Sequence, residues 1–335
     1  MAAQVAPKRQ AGGLRILPAG KLERREALWF WFFISPWVFG FLVFTIYPVI
    51  ASAYLSLTQY VPGKTPVFVG FQNYVSLYND RIFWKSLQVT AYYSLLAVPL
   101  GIIASLLLAV LLNQKVPFQG LFRTLYYLPS LLAGSVATAL LFSWLLNPQY
   151  GILNYVIRLL VGPSGIIPLG IAGPRWLQDP NWVVPSYAML SLWGFGGSML
   201  VYLSALQGVP THLYEAATID GANRVQQFFK VTIPMISPVI LFTLITGIIA
   251  SFNVFTPAYV ISSGIGGGSS SVGSPAYSAM FYVLYLFVNT FQRSRMGLGA
   301  AQAWILFLII LGLTLLMFRA SRQFVYYETE EEGFI

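Results

Sequence analysis

The 335-residue chain has no cysteine and a single histidine, His212. Without thiols there are no disulfides and no thiolate metal sites, and one imidazole cannot build a histidine-rich zinc or catalytic centre, so no metal site is expected. Charge is scarce too: Asp, Glu, Lys and Arg supply 9% of the residues, against about 25% in a soluble domain. In their place stand hydrophobic residues, 57% of the chain, and a mean hydropathy of +0.70. Such a composition belongs in a lipid bilayer. The apolar runs far exceed the ~10 residues of a barrel strand, so helices are the spanning elements. A net charge of +9 would point to nucleic acid in a soluble protein; here it reads as membrane anchoring, and no nucleic-acid partner is expected.

Six uncharged stretches can cross about 30 Å of hydrocarbon at about 1.5 Å per residue. They are residues 28–57, 86–112, 124–146, 183–206, 237–260 and 298–318. The expected fold is an all-α membrane protein of six transmembrane helices. Residues 275–291 are also apolar but short, and read as an interfacial or re-entrant helix. An even number of spans places both termini on one side. With the termini in the cytoplasm, segments 1–27, 113–123, 207–236 and 319–335 hold 12 of the 19 Lys and Arg in 85 residues; the outer segments 58–85, 147–182 and 261–297 hold 7 in 101. That is a roughly twofold bias in the positive-inside direction. The chain thus divides into a basic extension, 1–27, a six-helix domain, 28–322, and an acidic tail, 323–335. No short apolar core with a small-residue cleavage site follows the basic start, so it does not read as a secretory signal.

The most informative segment is the polar interruption 207–236, which contains YEAATIDGANRVQQFFKVTIP. Thr211 is placed to cap a short helix, His212 to Ile219, by accepting from an otherwise unpaired amide. Asp220-Gly221 signals a turn, because glycine tolerates the left-handed backbone that ends a helix. A second amphipathic helix, 222–231, would carry Val225, Phe228 and Phe229 on one side and stop at Pro234. Two short helices at an angle make a compact knob.

Glu215-Ala216-Ala217, then Gly221, then Val231, Ile233 and Pro234 closely resemble the EAA loop of bacterial ABC importer permeases. Val231 and Ile233 replace that pattern's Ile and Leu. The Asp220-Gly221-Ala222 centre resembles the carbohydrate branch, of maltose and glycerol-phosphate type. ISPWVFGFLVFTIYPVIASAYLSLT, FVGFQNYVSLYND, FRTLYYLPSLLAGSVATALLFSWLLNPQYGILN and MGLGAAQAWILFLIILGLTLLMFR follow the family in order; the Gly-rich stretch 264–273 departs from it by carrying serines. The resemblance implies a type I, MetI-like permease in a bacterial or archaeal cytoplasmic membrane. It implies a second homologous permease subunit, an ATPase dimer and an extracellular solute-binding protein as partners. ATP and Mg would sit on the ATPase, with no cofactor on this chain and no covalent chemistry. Glu215, Ala216, Ala217, Asp220, Gly221 and Pro234 would couple to the ATPase, and alternating access would move the cargo.

Gly63-Lys64-Thr65 mimics the end of a phosphate-binding loop, but the required glycine at position 58 is Thr58, and Pro66 opposes the following helix. An ion-coupled secondary transporter of a small neutral solute is the rival reading; such carriers place ionisable residues inside spans, and none of these six holds one. A sugar path should combine aromatic rings with neutral hydrogen-bonding groups. Span four offers Ser191, Trp193, Gly194 and Phe195, and span five Ser251 and Asn253; in the resembled family the corresponding parts contribute sugar contacts. A neutral sugar is the expected cargo. Trp29 to Phe33 read instead as an interfacial aromatic belt.

Overall fold

The computed structural model describes residues 21–114, 117–162, 166–167, 173–263 and 272–322. The start of the basic extension, most of the Gly-rich stretch and the acidic tail lie outside them. The chain separates into two units, residues 1–54 and 55–335. The first holds α1 (Lys21–Phe41), a π-helical turn, Leu42–Ile46, and most of α2 (Tyr47–Ser56), whose last two residues belong to the second. The Tyr47 N–H reaches back five residues to Leu42 O, and this wider turn accommodates Pro48, which lacks a donor. Trp29 stacks on Phe33 one turn later, with ring centroids 6.0 Å apart, and both are exposed.

The second unit continues with an antiparallel pair, β1 (Thr58–Gln59) and β2 (Val67–Phe68), joined through Gly63 at φ +82°. Gly63-Lys64-Thr65 is therefore part of a hairpin connection with no helix behind it. α3 (Gln72–Tyr78) leads to the 32-residue α4 (Arg81–Leu112), whose first turn is capped by Asp80 Oδ1 accepting from the Ile82 N–H at 2.8 Å.

Residues 124–146, expected as one span, are broken. α5 (Gln119–Tyr127) runs into a 3-10 turn, Leu128–Leu132, and α6 (Val136–Leu145) restarts at an angle of 102°. The cause is local. Pro129 removes a backbone donor, Gly134 turns the chain at φ +76°, and Ser135 caps the new helix by accepting from the Thr138 N–H at 3.2 Å. α7 (Ile152–Val161) follows.

Span four is α8 (Pro180–Ser191), a 3-10 turn at Leu192–Gly194, and α9 (Phe195–Gln207). After the 207–236 segment come α13 (Ser237–Phe252) and α14 (Thr256–Ser262), then α15 (Tyr282–Phe287) with a π-helical turn, Val288–Gln292, and finally α16 (Met296–Ser321); α10 to α12 are described with the loop below. Among the described residues, five helical stretches are long and apolar enough to cross a membrane, six if the bent pair forms one. α15 is enclosed by the rest of the protein. Phe281, Tyr282 and Leu284 are fully enclosed; the Tyr282 N–H donates to Thr90 Oγ1 on α4, and its hydroxyl donates to Gln302 O on α16, each at 2.9 Å. One apolar core joins α4, α8, α14 and α15, and a second joins the other end of α4 to α9 and the 207–236 segment.

Candidate functional site

The 207–236 segment folds as two short helices. α10 (Thr211–Ile219) starts after Pro210, which occupies the cap position without a side-chain bond. Thr211 is thus the first helical residue and not the cap: the extended backbone that a cap requires is supplied by Pro210. Glu215 consequently sits in the second turn, beyond the reach of the helix N-terminal field. The helix ends in a Schellman arrangement. The Ala222 N–H donates to Ala217 O at 2.9 Å and the Gly221 N–H to Thr218 O at 3.0 Å, with Gly221 at φ +77°.

α11 (Arg224–Gln227) starts with a capping box. Asn223 Oδ1 accepts from the Gln226 N–H, and Gln226 Oε1 accepts from the Asn223 N–H, both at 2.9 Å. A π-helical turn, Phe228–Thr232, leads into α12 (Ile233–Met235). Pro234 does not stop the helix; the π turn makes room for its ring, and the break falls at Ile236. Gln227 Nε2 donates to Thr218 Oγ1 at 2.9 Å, and the Tyr214 and Thr232 hydroxyls lie 3.0 Å apart, tying the two helices together.

Glu215, Ala216, Asp220 and Gly221 are exposed, Ala217 and Pro234 half-buried. Val225, Phe228 and Phe229 do not share a side: Phe228 packs inward on the second core, while Val225 and Phe229 face out. Ile219, 86% exposed, joins these two as an apolar surface residue that sequence reasoning passed over. Its signal was an isoleucine directly before the Asp-Gly turn.

At the other end of α9 and α13 lies a cavity of about 480 Å³. Ser191, Gly194, Phe195, Ser251 and Asn253 all line it. Trp193 does not: its ring packs edge-to-face on Phe142 at 5.6 Å. Helical spacing explains the difference: Trp193 is two residues from both Ser191 and Phe195, and side chains two apart do not share a helix face. Ser251 Oγ donates to Ser94 Oγ on α4 at 2.7 Å, and Asn253 Nδ2 donates to Ile249 O at 2.7 Å.

α4 supplies a wall that the sequence reading missed. Tyr93, Ala97, Gly101 and Ser105 recur every fourth residue and all reach the cavity, a ridge visible in the sequence only as one small-residue row among several. A Cβ built on Gly101 meets nothing within 4 Å. No charged side chain is among the lining residues. The bent segment contributes Ala133 and Gly134, so its irregular backbone borders the cavity, as irregular backbone at membrane depth must unless it is buried in protein.

Comparison with known proteins agrees with this architecture. The family model described as "Binding-protein-dependent transport system inner membrane component" matches residues 97–325. The probable ABC transporter permease protein YesP of Bacillus subtilis is 38% identical over 310 residues, covering 92% of this chain and 95% of that protein. The lactose transport system permease protein LacF of Rhizobium radiobacter is 35% identical over 296 residues, covering 88% and 94%. Among solved structures, a chain of a bacterial ABC transporter involved in the import of the acidic polysaccharide alginate matches with a TM-score of 0.70 at 23% identity, covering 91% of this chain and 99% of that one.

Proposed function

We infer the cargo and mode of action from one premise: the chain belongs to the family of binding-protein-dependent transport system inner membrane components. It is a multi-pass permease subunit of an ABC importer. We assign it a neutral sugar or sugar oligomer as cargo. The observation that carries this is the cavity of about 480 Å³, within the roughly 300–1,000 Å³ usual for small-molecule sites, lined by hydroxyls, an amide and aromatic rings without a formal charge. Sugars match such a wall, hydroxyl to hydroxyl and C–H face to ring. The relative named for lactose transport supports the cargo class.

Both termini and the 207–236 knob are assigned to the cytoplasm, where the knob meets an ATPase dimer that holds ATP and Mg. A second, homologous permease completes the membrane pore, and an external solute-binding protein delivers the cargo. This subunit carries no catalytic centre of its own. Its exposed Glu215, Ala216, Asp220 and Gly221, with Ala217 and Pro234 behind them, transmit ATPase closure to the spans by rigid-body reorientation.

The test is purification of the chain with its partners, followed by ATP-driven uptake of labelled sugars into proteoliposomes. Uptake should require both the ATPase and the loaded binding protein, and a tag at Gln226 should be protected from outside. Uptake driven by an ion gradient without the ATPase, or external access to Gln226, would refute the assignment.

A further inference from the structure

Two cavities follow one another along α8. The large one extends from Ser198 and Thr243 to Tyr187; a smaller one, about 100 Å³, begins at Tyr187 and continues past Val183 to Gln178, Ser143 and Ser262. Tyr187 lines both and is the partition between them. Its ring meets Phe281 edge-on at 5.0 Å, and Tyr93 meets the same Phe281 at 5.2 Å. The Tyr187 side chain is 2% exposed, yet its hydroxyl has no hydrogen-bond partner among the described residues. Ser262, 3% exposed and in the wall of the smaller cavity, carries a second hydroxyl without a partner among the described residues.

Burying a hydroxyl without a partner is unfavourable, and buried polar groups are rarely left so. Packing on Phe281 alone would be served equally by phenylalanine at 187. Two such hydroxyls, on residues that both line one small cavity, therefore mark a place where a hydroxylated ligand completes the hydrogen bonding once the side chains turn toward it.

We propose that Tyr187 and Ser262 form a second hydroxyl-recognising subsite on the cargo path, with Tyr187 as the partition that the cargo passes between the two cavities. The smaller cavity lies toward the Asp179-capped start of α8, the end opposite the 207–236 knob. In the assigned orientation a sugar arriving from the binding protein meets it first. This inference rests on the carbohydrate reading above. The same two hydroxyls would also be satisfied by water, and the test separates the two sources.

Wild-type importer and the variants Tyr187→Phe and Ser262→Ala are reconstituted with all partners, at saturating loaded binding protein. Transport of a panel of sugars and their monodeoxy analogues is measured. Each variant removes one oxygen that bonds nothing among the described residues, so assembly should be normal; should Tyr187→Phe fail to assemble, Ser262→Ala carries the test. Transport should slow by roughly two- to tenfold, and discrimination against one deoxy position seen in the wild type should disappear. Unchanged rates and unchanged discrimination in both variants would overturn the subsite and leave water as the partner. Failure of the wild type to transport any polyhydroxylated solute would overturn the carbohydrate reading, and the subsite with it.

Discussion

Gly221 allows a test in which backbone conformation is separated from contact. It holds φ +77°, and a Cβ built there meets nothing within 4 Å. Within the subunit, a side chain at 221 therefore incurs only the left-handed backbone term, roughly 1–2 kcal/mol for an L-residue. Asparagine hydrogen-bonds locally and tolerates this region, whereas a β-branched residue is a conformational outlier there. An effect of about 1–2 kcal/mol changes the population of the turn by roughly 5–30-fold, and apparent docking affinity falls with the competent fraction. The expected order of coupling is therefore Gly, then Asn, then Ala, with Val last. The assay is ATP hydrolysis stimulated by loaded binding protein, in proteoliposomes titrated with ATPase subunit, with membrane insertion checked by permease yield. Wild-type behaviour of Gly221→Val would refute the claim that this turn sets the knob's geometry. A loss in Gly221→Asn as large as in Gly221→Val would place the effect in a contact with the partner and not in the backbone.

Trp193→Ala should lower the thermal stability of the purified complex while leaving sugar selectivity unchanged, because Trp193 packs on Phe142 and not on the cavity; Asn253→Ala should do the reverse. The opposite pattern in transport and melting experiments would invalidate the cavity as drawn. Gly196→Ala should destabilise by about 1–3 kcal/mol, since its Cβ would press on the Tyr126 carbonyl group and lie 3.0 Å from Tyr127 Cα. Gly197→Ala, with Ser130 Oγ at 3.9 Å as nearest neighbour, should be near neutral, and equal melting temperatures for the two would contradict this packing.

Hydropathy made the spans legible because lipid demands long uninterrupted apolar runs, and it failed where the backbone changes course inside such a run. Pro129, Gly134 and Ser135 bend 124–146 by 102°, yet nothing in their polarity distinguishes them from a straight crossing. Residues 281–292 present the same ambiguity: an apolar helix facing lipid and one enclosed by α4 and α16 have the same composition. In the loop, Asp220-Gly221 announced its turn correctly. The start of α10 was misplaced by one residue because Thr211 is a good cap on paper while Pro210 holds the position. The Asn223 and Gln226 capping box was present in the sequence at its usual spacing and went unread. For the cavity, residues on spans four and five could be nominated one helix at a time. The α4 wall acquires meaning only when tertiary packing brings Gly101 and Ser105 to the same cavity as Gly194 and Gly247.

The side-chain ties within the 207–236 knob have a mechanical consequence. With Gln227 bonded across to Thr218, Tyr214 beside Thr232 and a closed capping box at Asn223, the knob is stiff relative to its roots. Compliance is concentrated where regular helix is interrupted, at Gly208–Pro210 on one side and Ile236 on the other. Those two joints lead directly into α9 and α13. The far ends of these helices are Gly194 and Asn253, both in the cavity wall. If the knob couples to an ATPase as proposed, a load applied at Ile219 would not be absorbed by bending of the knob; it would pass along α9 and α13 to two parts of the cavity wall.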